Sequence, residues 1–425
     1  MAYTFGRTAV LLITALLTAQ FTATAWAAET MSLEEVVTAA VGNNPAVIEA
    51  QKRWEEKNSQ IPIATALPNP KIGVMKDEIP NGTLNPGQGM MTEYTVSQEF
   101  MGGGKLGLMG KMAANDALMA KGVYRDKMLQ TYVDAKQVYY DVLYAAKAVE
   151  IGKENQQLMG QLAQLAQVNY STGMIPLQDT LKAQTEFSKM TVDLLAMASM
   201  EAVAKAKLNT VMGRPADSAL TIKEEFNAPP PNFDLAALVS GAQTAKPSLQ
   251  GMQSQLDMAQ TGIALAKKQS LPDYEVQLGY KNSRDMYSPS GWKIGLMAMI
   301  PLWQDKNKAQ VTAAQANLDA MHASYRNMVN MTGLDVQMAL VEAQTAWRQT
   351  DLYKNTIVPQ AEQAYQASVI SYTNGKADFM TVLDSLTTLK NAKLGYYKAK
   401  TDYEKAASSL EKAVGRPLFG AVSGF

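Results

Sequence analysis

Two parts of the chain alternate apolar and polar side chains with a period of two. Tyr274, Val276, Leu278 and Tyr280 point one way, and Glu275, Gln277 and Gly279 the other. Trp292, Ile294, Leu296, Ala298 and Ile300 likewise oppose Lys293, Gly295 and Met297. This alternation predicts β-strands with one apolar face. A weaker pair precedes them: Ile72 and Val74, then Tyr94, Val96 and Phe100. Each pair encloses a turn-rich loop, Asp77 to Gly89 or Lys281 to Gly291, and reads as a hairpin with a long exposed tip.

Between the hairpins the period changes to that of helices. From about Lys105 to Val168 there is no proline, and Ala, Gln, Lys, Leu and Met dominate. Leu129, Val133, Tyr140, Leu143 and Ile151 form an apolar stripe. About 60 residues at 1.5 Å each make a rod of roughly 90 Å, longer than a globular enzyme usually needs. An earlier helix is expected from Ser32 to Ala66, with Ser32 and Glu35 as a capping box and Pro68 and Pro70 ending it.

The rods break at YSTGMIPLQD, Tyr170 to Asp179, and at YTNGKADFMTVLD, which begins at Tyr372. A displacement of 202 residues pairs Tyr170 with Tyr372, Gly173 with Gly375, and VMGRP (211–215) with AVGRP (413–417). Leu67-Pro68 answers Leu271-Pro272 with two residues of slippage. Landmarks in the same order mark an internal duplication. The chain divides into a signal peptide (1–27), a first repeat (28–222), a Pro-rich linker (223–233), a second repeat (234–418) and a tail (419–425). The first repeat carries a β-hairpin at 70–100 and a tip near 173; the second carries a hairpin at 273–301 and a tip near 375. Arg7, the apolar run Ala9 to Ala19 and Ala25-Trp26-Ala27 form an export signal, with a mature chain expected near Ala28. That apolar run is too short for a membrane anchor, so an exported chain that spans a membrane must use strands.

Composition removes several function classes. Thirty-nine basic and thirty-nine acidic residues cancel, and no Lys/Arg-rich block marks a nucleic-acid partner. There is one histidine, His322, and no cysteine, which excludes disulfides, thiolate chemistry and a lipidated cysteine. The 26 methionines sit mainly in helical stripes, where Met fills a core; soft-metal binding is the alternative reading. Met101 to Lys105 (MGGGK) lacks the spacing of a phosphate loop and suits a strand-to-helix junction. The terminal Phe425 resembles the last aromatic of single-chain barrels but follows a helix and a turn. No nucleophile–base–orienter set is present, so neither an enzyme nor a cofactor is expected.

The strand pairs fit either a soluble sheet or, better, a membrane barrel with Tyr and Trp near the strand ends. Four strands cannot close a barrel, and open edges are not tolerated in lipid. Several chains must therefore share one barrel, with the rods continuing away from it.

These features resemble the TolC family of outer-membrane efflux channels, in the duplicated order of helix, hairpin and helical hairpin and in the paired Tyr-x-x-Gly breaks. LPNPKIGV (67–74) and SQEFMGGGKL (97–106) resemble its heavy-metal branch, typified by CzcC and CusC; Leu106 stands where an Arg commonly follows Gly-Lys. The resemblance implies a mainly α chain with membrane β: a homotrimer whose long helical hairpins form a periplasmic α-barrel and whose four strands per chain make a 12-stranded β-barrel in outer-membrane lipid. It implies a passive exit duct, for heavy-metal cations or other cargo, served by a periplasmic adaptor (membrane fusion) protein and an inner-membrane pump of the RND type.

It places adaptor docking at the tips, Gly173, Met174, Ile175, Gly375, Lys376 and Ala377, where an ordinary helix turn is the alternative. Gate-lining positions fall at Gln178, Asp179, Tyr372, Thr381 and Asp384. Thr381 stands where an Asp is usual and Ala377 replaces a basic residue, and Asp378 is expected to be merely solvated. The competing reading is a periplasmic adaptor or helical scaffold that bridges membranes without conducting.

Overall fold

A computed structural model describes residues 30–79, 82 and 85–418. The expected signal peptide, its cleavage site and the 419–425 tail with Phe425 lie outside the described residues. Each repeat begins with a capped helix. Ser32 caps α1 (Leu33–Asn43): its Oγ accepts from the Glu35 amide at 3.3 Å, and the Glu35 carboxylate accepts from the Ser32 amide at 2.7 Å. The expected single helix to Ala66 is in fact two. Asn44 is extended (ψ 122°) and α2 (Pro45–Thr65) starts afresh, because a residue before proline is driven out of the helical region. The second repeat breaks at the equivalent step, Lys246-Pro247, between α5 (Leu235–Ala245) and α6 (Pro247–Lys268).

The strands are β2 (Lys71–Asp77), β3 (Met91–Phe100), β5 (Asp273–Ser283) and β6 (Gly291–Met299), in one antiparallel sheet of order β2-β3-β5-β6. Two-residue strands β1 (Thr30–Met31) and β4 (Thr221–Ile222) pair separately, near the middle of the molecule. Register puts the apolar set on one face: Val74, Tyr94, Tyr280 and Trp292 share a rung, as do Ile72, Val96, Leu278 and Ile294. All eight except the inner Tyr280 are strongly exposed, Ile72 and Ile294 at 80% and 84%. The other face carries Glu93, Thr95, Ser97, Glu99, Glu275, Gln277 and Lys293, with Lys293 bonded to Glu93 at 2.9 Å. Ile300 falls just beyond the end of β6.

The strands turn into rods at built junctions. Gly103 (φ 66°) and Gly104 (φ 76°) take left-handed backbone before α3 (Lys105–Ser171), and a Cβ on Gly102 would come within 1.9 Å of the Pro272 carbonyl. The close approach lets the Gly102 amide and the buried Lys105 ammonium both donate to Asp273, at 2.7 and 2.9 Å. At 67 residues, α3 is roughly 100 Å long. It pairs with α4 (Leu177–Val211) in one hairpin. In the other, α7 (Gln304–Leu352) passes through a π-helical turn, Tyr353–Ile357, into α8 (Val358–Thr373), and α9 (Phe379–Val414) returns. Among the described residues no helix is long and apolar enough to cross a membrane.

The π turn lies just before Pro359, whose missing N–H cannot join an α-helical ladder, and Gly395 makes room for the Tyr353 ring. The extra residue shifts the phase of α7. Its buried Val336, Leu340 and Ala343 answer the buried Ala135, Tyr139 and Val142 of α3 at a displacement one residue shorter than 202.

The core is a series of clusters along the rods. The expected stripe Leu129, Val133, Tyr140, Leu143 and Ile151 is buried. Near the middle, α9 lies on α3 and closes over a buried ion pair, Lys136 to Glu411 at 2.6 Å, with Glu411 fully inaccessible. The Pro-rich linker is strapped across both helices: Tyr139 of α3 donates its hydroxyl to the Lys223 carbonyl at 2.6 Å, the Ala228 amide donates to the buried Glu404 of α9 at 3.1 Å, and the Tyr403 hydroxyl donates to the Pro229 carbonyl. Burial raises the pKa of Glu404, opposed by the bonds from Ala228 and Tyr140. A cavity of about 590 Å³ lies beneath the strap.

Removing Lys136 leaves the buried Glu411 without its counter-charge. Lys136→Met should therefore destabilise the protein by about 3–5 kcal/mol. Adding Glu411→Gln should recover much of that loss, as read from melting of detergent-solubilised protein.

Candidate functional site

The two hairpin ends are built alike. In the first, the Gly173 amide donates to the Tyr170 carbonyl at 2.9 Å and the Met174 amide to Asn169 at 2.8 Å. In the second, Gly375 donates to Tyr372 at 3.0 Å and Lys376 to Ser371 at 2.8 Å. This is a Schellman termination, which requires left-handed backbone at its glycine. Gly173 and Gly375 have φ of 76° and 67°, and a Cβ on either would meet nothing within 4 Å. Backbone conformation alone, then, selects glycine there.

The returning helices start differently. Pro176 precedes α4 with no side-chain cap, whereas Asp378 caps α9, accepting from the Thr381 amide at 2.8 Å and its hydroxyl at 2.6 Å. Asp378 was expected to be merely solvated; it is a structural cap, and the hydroxyl and amide of Thr381 hold its carboxyl below the usual range. The Asp-x-x-Thr spacing carried that signal.

Beneath the turns one core joins both hairpins. Met159, Leu162 and Ala166 of α3 and Ala183 and Met190 of α4 pack with Tyr372, Phe379, Val382, Leu383 and Leu386. Tyr372, expected to line a passage, is instead 5% exposed and packs edge-on against Phe379 at 6.1 Å. The apolar core beneath the turn claims its ring. Burial raises the pKa of its hydroxyl, with the nearby Asn169 opposing and Asp179 adding to the rise. Higher up, Lys390 reaches Asp193 at 3.3 Å and Lys393 reaches Glu154 at 2.7 Å, tying α9 to the other hairpin.

The remaining expected site residues lie at or near the surface. Gln178, Thr381 and Asp384 are exposed and Asp179 is half-buried. Met174 is 75% exposed, Lys376 and both glycines are exposed, and Ile175 and Ala377 are half-buried. The tip thus offers a small apolar and basic surface outward, with polar and acidic side chains one to three turns above it. Among the described residues no group of three or more His, Asp or Glu side chains could hold a metal ion.

Comparison with known proteins agrees with this architecture. CzcC of Cupriavidus metallidurans, a cobalt-zinc-cadmium resistance protein, is 22% identical over 92% of this chain and 91% of its own. The channel CusC has the same fold, with a TM-score of 0.77 at 17% identity over 91% of this chain and 92% of that one. VceC, an outer membrane protein of Vibrio cholerae, matches with a TM-score of 0.76 at 16% identity, covering 90% and 96%. The family model for outer membrane efflux proteins matches twice, over residues 36–214 and 238–416, the same 202-residue displacement that relates the two tips. The chain belongs to the outer membrane efflux protein family.

Proposed function

We propose that three copies of this outer-membrane efflux channel chain close one passive exit duct. The observation that carries this reading is the sheet. Its apolar face is exposed along every strand, and its outer strands β2 and β6 each keep one unpaired edge. In lipid those edges cost several kcal/mol per unpaired group, so the four strands need neighbours. Three copies supply a ring of twelve, and the rods continue from it into the periplasm as a tube. This arrangement conducts; a scaffold that only bridged membranes would have no use for the lipid-facing sheet.

In this reading the tips, with Met174, Ile175, Lys376 and Ala377 around Gly173 and Gly375, meet a periplasmic adaptor that couples the duct to an inner-membrane pump of the RND type. Likeness to CzcC supports heavy-metal cations as cargo. Gln178, Asp179, Thr381 and Asp384 line the passage above the turns, and Tyr372 acts from behind, bracing the two hairpins. No catalytic step is required.

Detergent-extracted protein should run as a trimer and form conducting pores in planar bilayers; a stable, non-conducting monomer would remove the channel reading. A valine at a φ near +70° strains the backbone by about 1–3 kcal/mol. Gly173→Val and Gly375→Val should therefore weaken cross-linking to the adaptor while membrane insertion persists, because the sheet lies at the far end of the rods. Unchanged cross-linking and efflux in both would make the glycines simple turns.

Asp384 is exposed one to three turns above the tip. Three copies around one axis would draw in cations. Asp384→Asn, alone and with Asp179→Asn, should reduce cation selectivity without loss of the trimer. Reversal potentials in asymmetric salt measure this, and identical values would place both carboxylates away from the conducting path.

A further inference from the structure

The two repeats meet inside each chain along the β3–β5 ladder, which runs from Met91 opposite Ser283 to Phe100 opposite Tyr274. The hairpins it joins are related by the 202-residue displacement without slippage: Lys71 opposite Ser97 in the first becomes Asp273 opposite Met299 in the second. Where copies meet, the second strand of one second repeat, β6, must lie beside the first strand of the next first repeat, β2. That is the same juxtaposition as β3 beside β5, shifted by one repeat.

Resting on the closed-ring reading above, we propose that β6 of one copy pairs antiparallel with β2 of the next in the register that the β3–β5 seam sets within each chain. Moving each β3 position forward and each β5 position back by 202 turns Ser97 opposite Gln277 into Met299 opposite Met75. It likewise turns Thr95 opposite Gly279 into Met297 opposite Asp77, and Gln98 opposite Val276 into Ile300 opposite Val74.

Three observations agree with this register. It keeps the faces consistent: Ile300 and Val74 join the apolar face, whereas Met299, Met297, Met75 and Asp77 fall on the face of Glu93 and Lys293. It also gives a strand partner to a stretch that lacks one within a single chain. The last residues of β3, Gln98 to Phe100, pair only with β5; their counterparts from Ile300 to Leu302 have no strand partner among the described residues. It also covers exposed thioethers, since Met75, Met297 and Met299 stand 64%, 49% and 54% exposed along the two edges. The consequence is a seam in which methionine faces methionine three times around the polar face of the ring, where the seam inside each chain has serine facing glutamine.

The native chain has no cysteine, so engineered thiols report alone. Directly opposed residues in an antiparallel pair have Cα atoms about 4.5–5.5 Å apart, within the span of a disulfide. A two-residue slip separates them by about 7–8 Å, beyond it. Four double variants in outer-membrane vesicles, treated with a mild oxidant and run on non-reducing gels, test the register.

Met299→Cys with Met75→Cys, and Met297→Cys with Asp77→Cys, should convert most of the chain to covalent dimers and trimers. The swapped combinations, Met299→Cys with Asp77→Cys and Met297→Cys with Met75→Cys, should remain largely monomeric under the same oxidant. If the swapped pairs cross-link instead, or none does in a protein that still runs as a trimer, the register is overturned and the duct stands. A monomeric wild type with no cross-linked product removes both.

Discussion

A backbone amide or carbonyl in hydrocarbon has no water to bond, and this protein's architecture depends on that constraint. Each chain brings only four strands, joined by two hairpins through the β3–β5 ladder, and leaves β2 and β6 open on their outer sides. Its large apolar face would be a liability in water and is suited to lipid. One chain alone cannot satisfy both demands. The duplicated sequence answers within the chain by joining the edge of one repeat to the edge of the other along β3 and β5.

The rods carry the sheet's geometry away from the membrane, and the joints between them are where strain and charge concentrate. At the first strand-to-helix junction, two left-handed glycines let Lys105 and the Gly102 amide converge on Asp273, locking the start of one repeat's rod to the first strand of the other. Midway, the Lys136–Glu411 pair and the strapped linker hold α9 against α3. At the tips a single apolar core spans both hairpins, with Tyr372 and Phe379 packed edge-on inside it. Surface ion pairs such as Lys393–Glu154 are each worth little, about 0–1 kcal/mol, and set relative position more than stability.

The two repeats are not interchangeable. Pro359 forces a π turn into the second rod, which rotates α7 by one residue's phase relative to α3. Asp378 caps the second tip while the first relies on Pro176. Tyr372 is buried where its counterpart Tyr170 is 39% exposed. Such departures give each chain two kinds of hairpin with two differently built tips.

Much of this was legible in the sequence because it rests on local chemistry. Alternation in Tyr274 to Tyr280, the capping box at Ser32 and Glu35, the proline-free run after Lys105 and the paired glycines each act through neighbours a few residues away. The count of four such strands then exposed the need for several chains. What the sequence misjudged depends on contacts between distant segments or on a single backbone step. The Asn44-Pro45 break was read as continuous helix because the capping box at its start and the prolines at its end were taken as its bounds, and the proline between them was passed over. Tyr372 was expected at a surface because its burial is decided by Phe379 and α3, which meet it only when the hairpins dock. The ion pair between Lys136 and Glu411 joins residues 275 positions apart, and nothing in either neighbourhood announces the other. Periodicity and turn chemistry therefore determined the elements, their order and the apolar faces, while the burial of Tyr372 and the pairing of Lys136 with Glu411 were decided only by the packing of one repeat against the other.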